Sequence, residues 1–346
     1  MSNIQQVIEA RRLWQHALDG DLRARAEVME TMTTSDFPVL LGAAYGRELL
    51  ASYQTAPRIW DRFATRALLS DFRPKKLVDI LGGQGALNKV KEGAEYKARK
   101  LSEALYEFSV EKYGDRIPLT WEMLKNDDLG AFNNLPGRLA VAARVTEDVV
   151  ATKALLLPDL SNVNTAFFKT ANGNAPAATA LTQENLQAAI LNITSRKDAD
   201  GNPIVLTGGC LVVPPALEFT ARSILNATEI RTTVSTKTTI EANPMAGRLD
   251  LVVNPYLTLN ANAKAAGTWF VLPSPGGARP GVAVGFLRGE EAPDLRVKAD
   301  AGNRVGGGAL GAEAGSFDDD TIQYRVRHVV GAAPIDPKAT FVSLGS

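Results

Sequence analysis

The stretch EALYEFSVEKYGDRI, residues 103–117, constrains the fold more than any other part of the chain. Leu105, Tyr106, Phe108 and Val110 are interleaved with Glu107, Ser109 and Glu111. That period near two belongs to a strand with one apolar and one polar face. Upstream, Lys89, Lys91, Lys97, Arg99 and Lys100 line one limb, and Glu103, Glu107 and Glu111 line the return. The pattern predicts a long hairpin with its tip near 98–103, each exposed charge pair adding about 0.2–1 kcal/mol to the register. A charged helix over 89–104 is the alternative. A lone two-stranded ribbon has open edges and is marginal in water, so it needs a surface to lie on.

Little else in the chain offers chemistry. Two histidines, His16 and His328, and one cysteine, Cys210, exclude a histidine-rich zinc site, a Cys/His cluster and an internal disulfide. Folding in a reducing compartment is expected. Cys210 sits in GGCLVVPP, a stretch with the character of a buried strand, where a lone thiol behaves as a small apolar group. His328 shares a strand face with Ile322, Tyr324, Val326 and Val330, which points to a packed, structural histidine. His16 falls on a charged N-terminal helix and is read as solvated. Hydrophobic residues make up 45% of the chain and charged ones 22%, enough to bury a core. Thirty-eight basic residues balance thirty-eight acidic ones, so no net field draws the chain to nucleic acid or a membrane. No run approaches the roughly 20 apolar residues of a membrane span, and the N-terminus lacks a signal-peptide core.

Motifs that suggest catalysis fail on their spacing. In LGGQGALNK, Lys89 lacks a preceding glycine and is followed by Val90, so the loop cannot be a P-loop. Gly83-Gln84-Gly85 is followed by Asn88 where a dinucleotide loop needs glycine. The better reading is a turn at the foot of the hairpin. Asp127-Asp128 and Asp318-Asp319-Asp320 are adjacent carboxylates, whereas an acid and a base must flank a substrate; they are read as solvated turns or helix starts. No Gly-x-Ser-x-Gly places a serine on a nucleophile elbow. No catalytic residue, cofactor or metal ligand is assigned.

Residues 4–32 predict one or two charged helices. Ser35 or Asp36 caps a helix with Pro38 in its first turn, ending before Pro57. Strand character begins near Ala67. Asn133 or Asn134 and Pro136 open a long helix over 134–157, whose inner face carries Leu139, Ala142, Ala143, Val150, Ala154 and Leu157. Such a helix spans roughly 30 Å. From 160 to 317 short helices alternate with strands: helices start at Thr182 and Pro215, and strands lie in IVLTGGCLVVPP, RLDLVVNPYL, GTWFVLPS and GVAVGFLRG. DADGNP is a turn, and AGNRVGGGALGAEAGSF is too rich in glycine for regular structure. Two closing strands flank a PID turn.

Several of these stretches resemble one known family. TTSDFPVLLGAAYGRELLASYQ, PRIW, SDFRPKKLVDILGG, EGAEYK, YGDRIPLTWEMLKNDDLGAF and LAVAARVTEDVV, in order, are similar to major capsid proteins of tailed bacteriophages with the Hong Kong 97-like fold. The nearest subgroup is the Mu-like major head subunits. GFLRGEEAPDLRV and DTIQYRVRHVVGAAPIDPKA match that family's closing strands.

The resemblance implies an α+β phage capsid fold. Residues 1–83 would form an N-terminal arm and lead-in helices, and 84–116 an extended β-hairpin loop. A peripheral domain, 117–159 with 318–346, would hold the long spine helix. An α/β axial domain, 160–317, would cluster at the centres of pentamers and hexamers. The implied function is a structural one: self-assembly into an icosahedral head shell around double-stranded DNA, without sequence-specific binding. Tyr96, Lys97, Arg99, Tyr106, Glu107, Phe108 and Glu111 are the expected contacts with the adjacent subunit. Only about 33 residues precede the matched region, so a separate scaffolding protein is expected, with a portal protein and decoration proteins as further partners. The expected location is the virion, assembled in the bacterial cytoplasm. Two alternatives are an encapsulin-like nanocompartment shell and an α/β hydrolase-type enzyme.

Overall fold

The computed structural model describes residues 37–78, 103–120, 135–197, 208–234, 237–277, 279–298 and 321–345, with a few single positions between them. The leading helices over 4–32, His16, the glycine-rich turn 81–89, Asn133, Asn134, Asp127 and Asp128 lie outside the described residues. So do most of DADGNP and of the glycine-rich 301–317 stretch. Two compact units divide the chain: residues within 1–56, 113–143 and 292–328 form one, and those within 57–112, 144–291 and 329–346 the other.

In the first unit, helix α1 (Phe37–Thr55) places Pro38 in its first turn and stops ahead of Pro57, as the fixed φ of proline dictates. Leu49 and Tyr53, four residues apart, pack with Leu139, Ala140, Ala143 and Val326. Residues 135–143 begin helix α2 (Leu135–Lys153). Beside it, β13 (Thr321–Pro334) runs between β5 (Arg116–Thr120) and β12 (Asp294–Lys298), antiparallel to both. Ile322, Tyr324, Val326 and His328 are buried while Gln323, Arg325 and Arg327 are more exposed. The alternation read from the sequence therefore holds through His328, whose ring meets Tyr53 edge-on at 5.8 Å. His328 is a core residue.

The second unit holds two sheets. In one, β1 (Thr65–Leu69) runs parallel to β11 (Val282–Leu287), and β11 pairs antiparallel with residues 330–334 of β13. In the other the order is β14-β10-β6-β9, with β6 (Gly209–Val213) and β10 (Trp269–Pro273) in the middle. Every residue of β6 and β10 is buried, which is why both read as unbroken apolar runs. Helices α3 (Gln183–Thr194) and α4 (Glu218–Asn226) contribute Leu186, Ala189, Ile190, Ile193, Ala221 and Leu225 to the core with Leu211, Val213, Trp269 and Val271. Phe168 meets Phe270, the intervening residue on β10. Thr182 caps α3, its hydroxyl accepting from the Asn185 N–H at 3.2 Å, as the sequence predicts.

Four readings from the sequence need correction. First, α2 ends at Lys153, not at 157: Leu155 and Leu156 bond back to Thr152 and Lys153, tightening into a turn before Pro158. Second, Ala142, placed on its inner face, is exposed, and Ala140 and Ala151 are fully buried instead. Third, the described partner of β3 (Glu103–Phe108) lies upstream of the lysine-rich limb 89–100, most of which lies outside the described residues. β3 pairs antiparallel with β2 (Lys75–Val78), Val78 opposite Glu103 and Lys75 opposite Phe108. Fourth, the closing block 318–346 is divided between sheets, β14 (Phe341–Ser343) adding to β10. The hairpin β7–β8 (Glu229–Val234, Lys237–Ala242) has no counterpart in the sequence reading. It is inserted between α4 and β9 (Asp250–Val253), inside the crossover that joins the parallel strands β6 and β9.

Candidate assembly surfaces

The ribbon root at β2 and β3 is sealed into the second unit by glycines. Phe108 and Val110 are buried with Leu69, Ala283, Val329 and Ala333. A Cβ on Gly285 would lie 2.3 Å from the Phe108 ring and 2.5 Å from Leu69, and one on Gly331 would lie 2.0 Å from the Ser109 carbonyl oxygen. No side chain fits at either position, so only glycine lets residues 108–110 cross β11 and β13 this closely.

This places the expected contact residues on different footings. Phe108 does not face a neighbour; 2% exposed, it fills the core of its own subunit. An aromatic in an alternating run marks a buried face but cannot tell whose core that face enters. Glu107, opposite Lys76 in the register, and Glu111 on β4 (Glu111–Tyr113) are exposed. Tyr106 lies on β3. Tyr96, Lys97 and Arg99 lie outside the described residues.

A buried polar clamp holds the segment leading into β1, and the sequence reading missed it. Glu147, fully buried on α2, accepts from the Trp60 indole N–H at 2.8 Å and from the Arg144 guanidinium at 2.9 Å. Asp148 accepts the backbone N–H groups of Ile59 and Trp60 at 2.9 and 2.8 Å, satisfying the start of a 3-10 turn, Trp60–Arg62. Burial pushes the Asp148 carboxyl above its usual range, and the two N–H donors partly offset this. Thr152, one turn on, donates to the Asp148 carbonyl and accepts from Asn254. The only sequence signal was an acid pair, Glu147-Asp148, close to the equally buried Arg144 on α2.

Cys210 is buried and its thiol pushed up to about 12 by desolvation, so it is inert. Arg196, lowered to about 10 by burial, donates to the Lys338 and Thr340 carbonyls and holds the turn before β14. Among the described residues no group of three His, Cys, Asp or Glu side chains could hold a metal ion. None of their helices is long and apolar enough to cross a membrane. Large apolar side chains are exposed at Phe219 on α4, Leu191 on α3, Leu68 on β1, Ile240 on β8 and Val141 on α2.

The family model described as phage capsid protein matches residues 105–343, and the chain belongs to that family. It is a shell-forming major capsid protein, a structural protein. No curated protein matches it. Solved structures similar to it include the Mycobacterium phage Ogopogo, at 15% identity and TM-score 0.46, covering 84% of this chain and 92% of that one. The capsid of the native GTA particle is similar at 14% identity and TM-score 0.47, covering 83% and 91%. The holo encapsulin complex of Synechococcus elongatus is similar at 12% identity and TM-score 0.43, covering 84% and 88%.

Proposed function

We propose that the ribbon rising from β2 and β3 lies on the adjacent subunit, and that this overlap helps hold the shell. The observation that carries the reading is the pairing of β2 with β3 alone. Among the described residues no third strand joins them, and a two-stranded sheet is marginal unless something covers it. Tyr96, Lys97, Arg99, Tyr106, Glu107 and Glu111 are the proposed contacts. Phe108 is not among them, because its ring is used inside its own subunit. Each contact can be modest, since a closed shell repeats it many times.

The same reading takes the chain as a Mu-like head subunit, forming pentamers and hexamers of an icosahedral head around double-stranded DNA. α2 serves as the spine helix, and the β14-β10-β6-β9 sheet with α3 and α4 as the body of the axial domain. Scaffolding, portal and decoration proteins are its further partners, and assembly takes place in the bacterial cytoplasm. Zero formal net charge suits a container wall that must not grip its contents.

The register offers a clean test. Val78 and Glu103 are paired neighbours, so residues 79–102 can be replaced by Asn-Gly, the two-residue turn that antiparallel strands accept. The expected product is a folded chain that no longer closes into shells, scored by negative-stain microscopy and light scattering. Normal particles from this variant would refute the proposal.

A further inference from the structure

The β7–β8 hairpin is a second two-stranded sheet, again with no third strand among the described residues. Its root is fixed. The buried Asn243 side chain donates to the Ile224 and Ala227 carbonyls at 2.7 and 2.8 Å and accepts from the Met245 N–H at 2.9 Å. Its own N–H donates to the Thr228 carbonyl at 3.0 Å. Beyond that root the hairpin stands open. Glu229, Glu241 and Ala242 are exposed and Ile240 is 54% exposed. Residues 240 and 242 lie on one face and 241 on the other, so both faces meet solvent there.

Its edges are also unguarded. Strand edges that must stay unpaired are blunted by proline, bulges or charge. β12, at the end of its sheet, exposes Arg296 and Lys298. The hairpin has neither proline nor a bulge, and its charges come in opposite pairs. Six pairs run from Glu229 opposite Ala242 to Val234 opposite Lys237 without a register shift, and neither strand contains proline. Glu229 and Arg231 cancel on β7, as do Lys237 and Glu241 on β8, and the remaining positions are mostly Thr, Ile and Val. A rigidly rooted strand pair of high β-propensity, with balanced charge on each edge, is built to be extended by another strand.

We propose that the outer edge of β8 in one subunit pairs antiparallel with the outer edge of β7 in a second copy of this chain. The proposal rests on the shell-forming reading, which supplies the second copy. The contact is head-to-tail, the type that forms a ring when its rotation closes. Backbone hydrogen bonds supply the cohesion, and a strand bearing both an acid and a base presents no like-charged run to hold its neighbour off.

The test uses chains with one added cysteine each, since buried Cys210 does not compete. Glu229→Cys and Ala242→Cys chains are co-expressed, and their assembled particles are mildly oxidised and run on a non-reducing gel. A disulfide-linked dimer is expected from the mixed particles and not from either variant alone. Arg231→Cys with Ile240→Cys is a second pair, positioned two rows further along the hairpin. Mixed particles that form normally yet give no dimer with either pair would overturn the proposal. So would dimers from one variant alone, which would mean that like edges meet, or a disulfide to a different protein. A wild-type chain that forms no particles would overturn the shell reading itself, and with it this inference.

Discussion

The β2–β3 ribbon and the β7–β8 hairpin are each a two-stranded sheet, yet they join the chain in opposite ways. The first runs straight from its strand into a core: Phe108 and Val110 are buried, and Gly285 and Gly331 are shaved to admit them. The second leaves its core at once and is held by one asparagine and three backbone groups. Substitution at the first root should therefore damage the subunit, whereas beyond the second root it should damage only what subunits do together. A ribbon's part in assembly can be probed cleanly only beyond the point where its own subunit stops using it.

The largest effect is expected from Phe108→Ala, which empties a ring-sized space and should cost about 3–5 kcal/mol in urea unfolding of the unassembled subunit. Gly331→Ala should follow at about 3 kcal/mol or more, because its Cβ meets a backbone carbonyl that cannot rotate away. If either variant unfolds like the wild type, the sealed root is misdescribed. Asn243→Ala should cost about 1–3 kcal/mol, since it strands two carbonyls that Asn243 now satisfies. Ile240→Ser should change subunit stability by no more than about 0.5 kcal/mol while reducing the yield of closed particles. A large loss of subunit stability there would mean that the hairpin belongs to its own core after all.

The smallest expected effect lies outside both ribbons. Burial raises the Asp148 carboxyl above its ordinary value of 3.8, so the folded chain holds that proton more tightly than the unfolded chain does. Stability from this group is then fully present below 3.8 and falls as pH rises through the window just above it. Asp148→Asn, which keeps an oxygen for the Ile59 and Trp60 N–H groups, should flatten that slope in unfolding curves taken at several pH values.

Local features were legible wherever one residue acts through its neighbours in sequence. Thr182 marked the start of α3, Pro38 and Pro57 bracketed α1, and the apolar runs around Cys210 and Phe270 announced strands. The alternation through His328 was correct because one face of β13 is covered there. The β7–β8 hairpin was missed because its alternation is written in threonines, which carry little hydropathy contrast. The clamp at Glu147 and Asp148 was missed because its partner, Trp60, lies far away along the chain.

By itself the sequence marked the bounds of α1, the start of α3 and the apolar strands β6 and β10, and it raised the expectation of a ribbon in need of a partner. Only the tertiary structure decided that β3 pairs with β2, that Phe108 faces inward, and that β13 and β14 part into separate sheets. The physical reason is that periodicity fixes which side chains share a face, through covalent geometry alone. What covers that face is chosen by packing between segments distant in the chain, and at Gly285 and Gly331 that choice is made by the absence of a side chain.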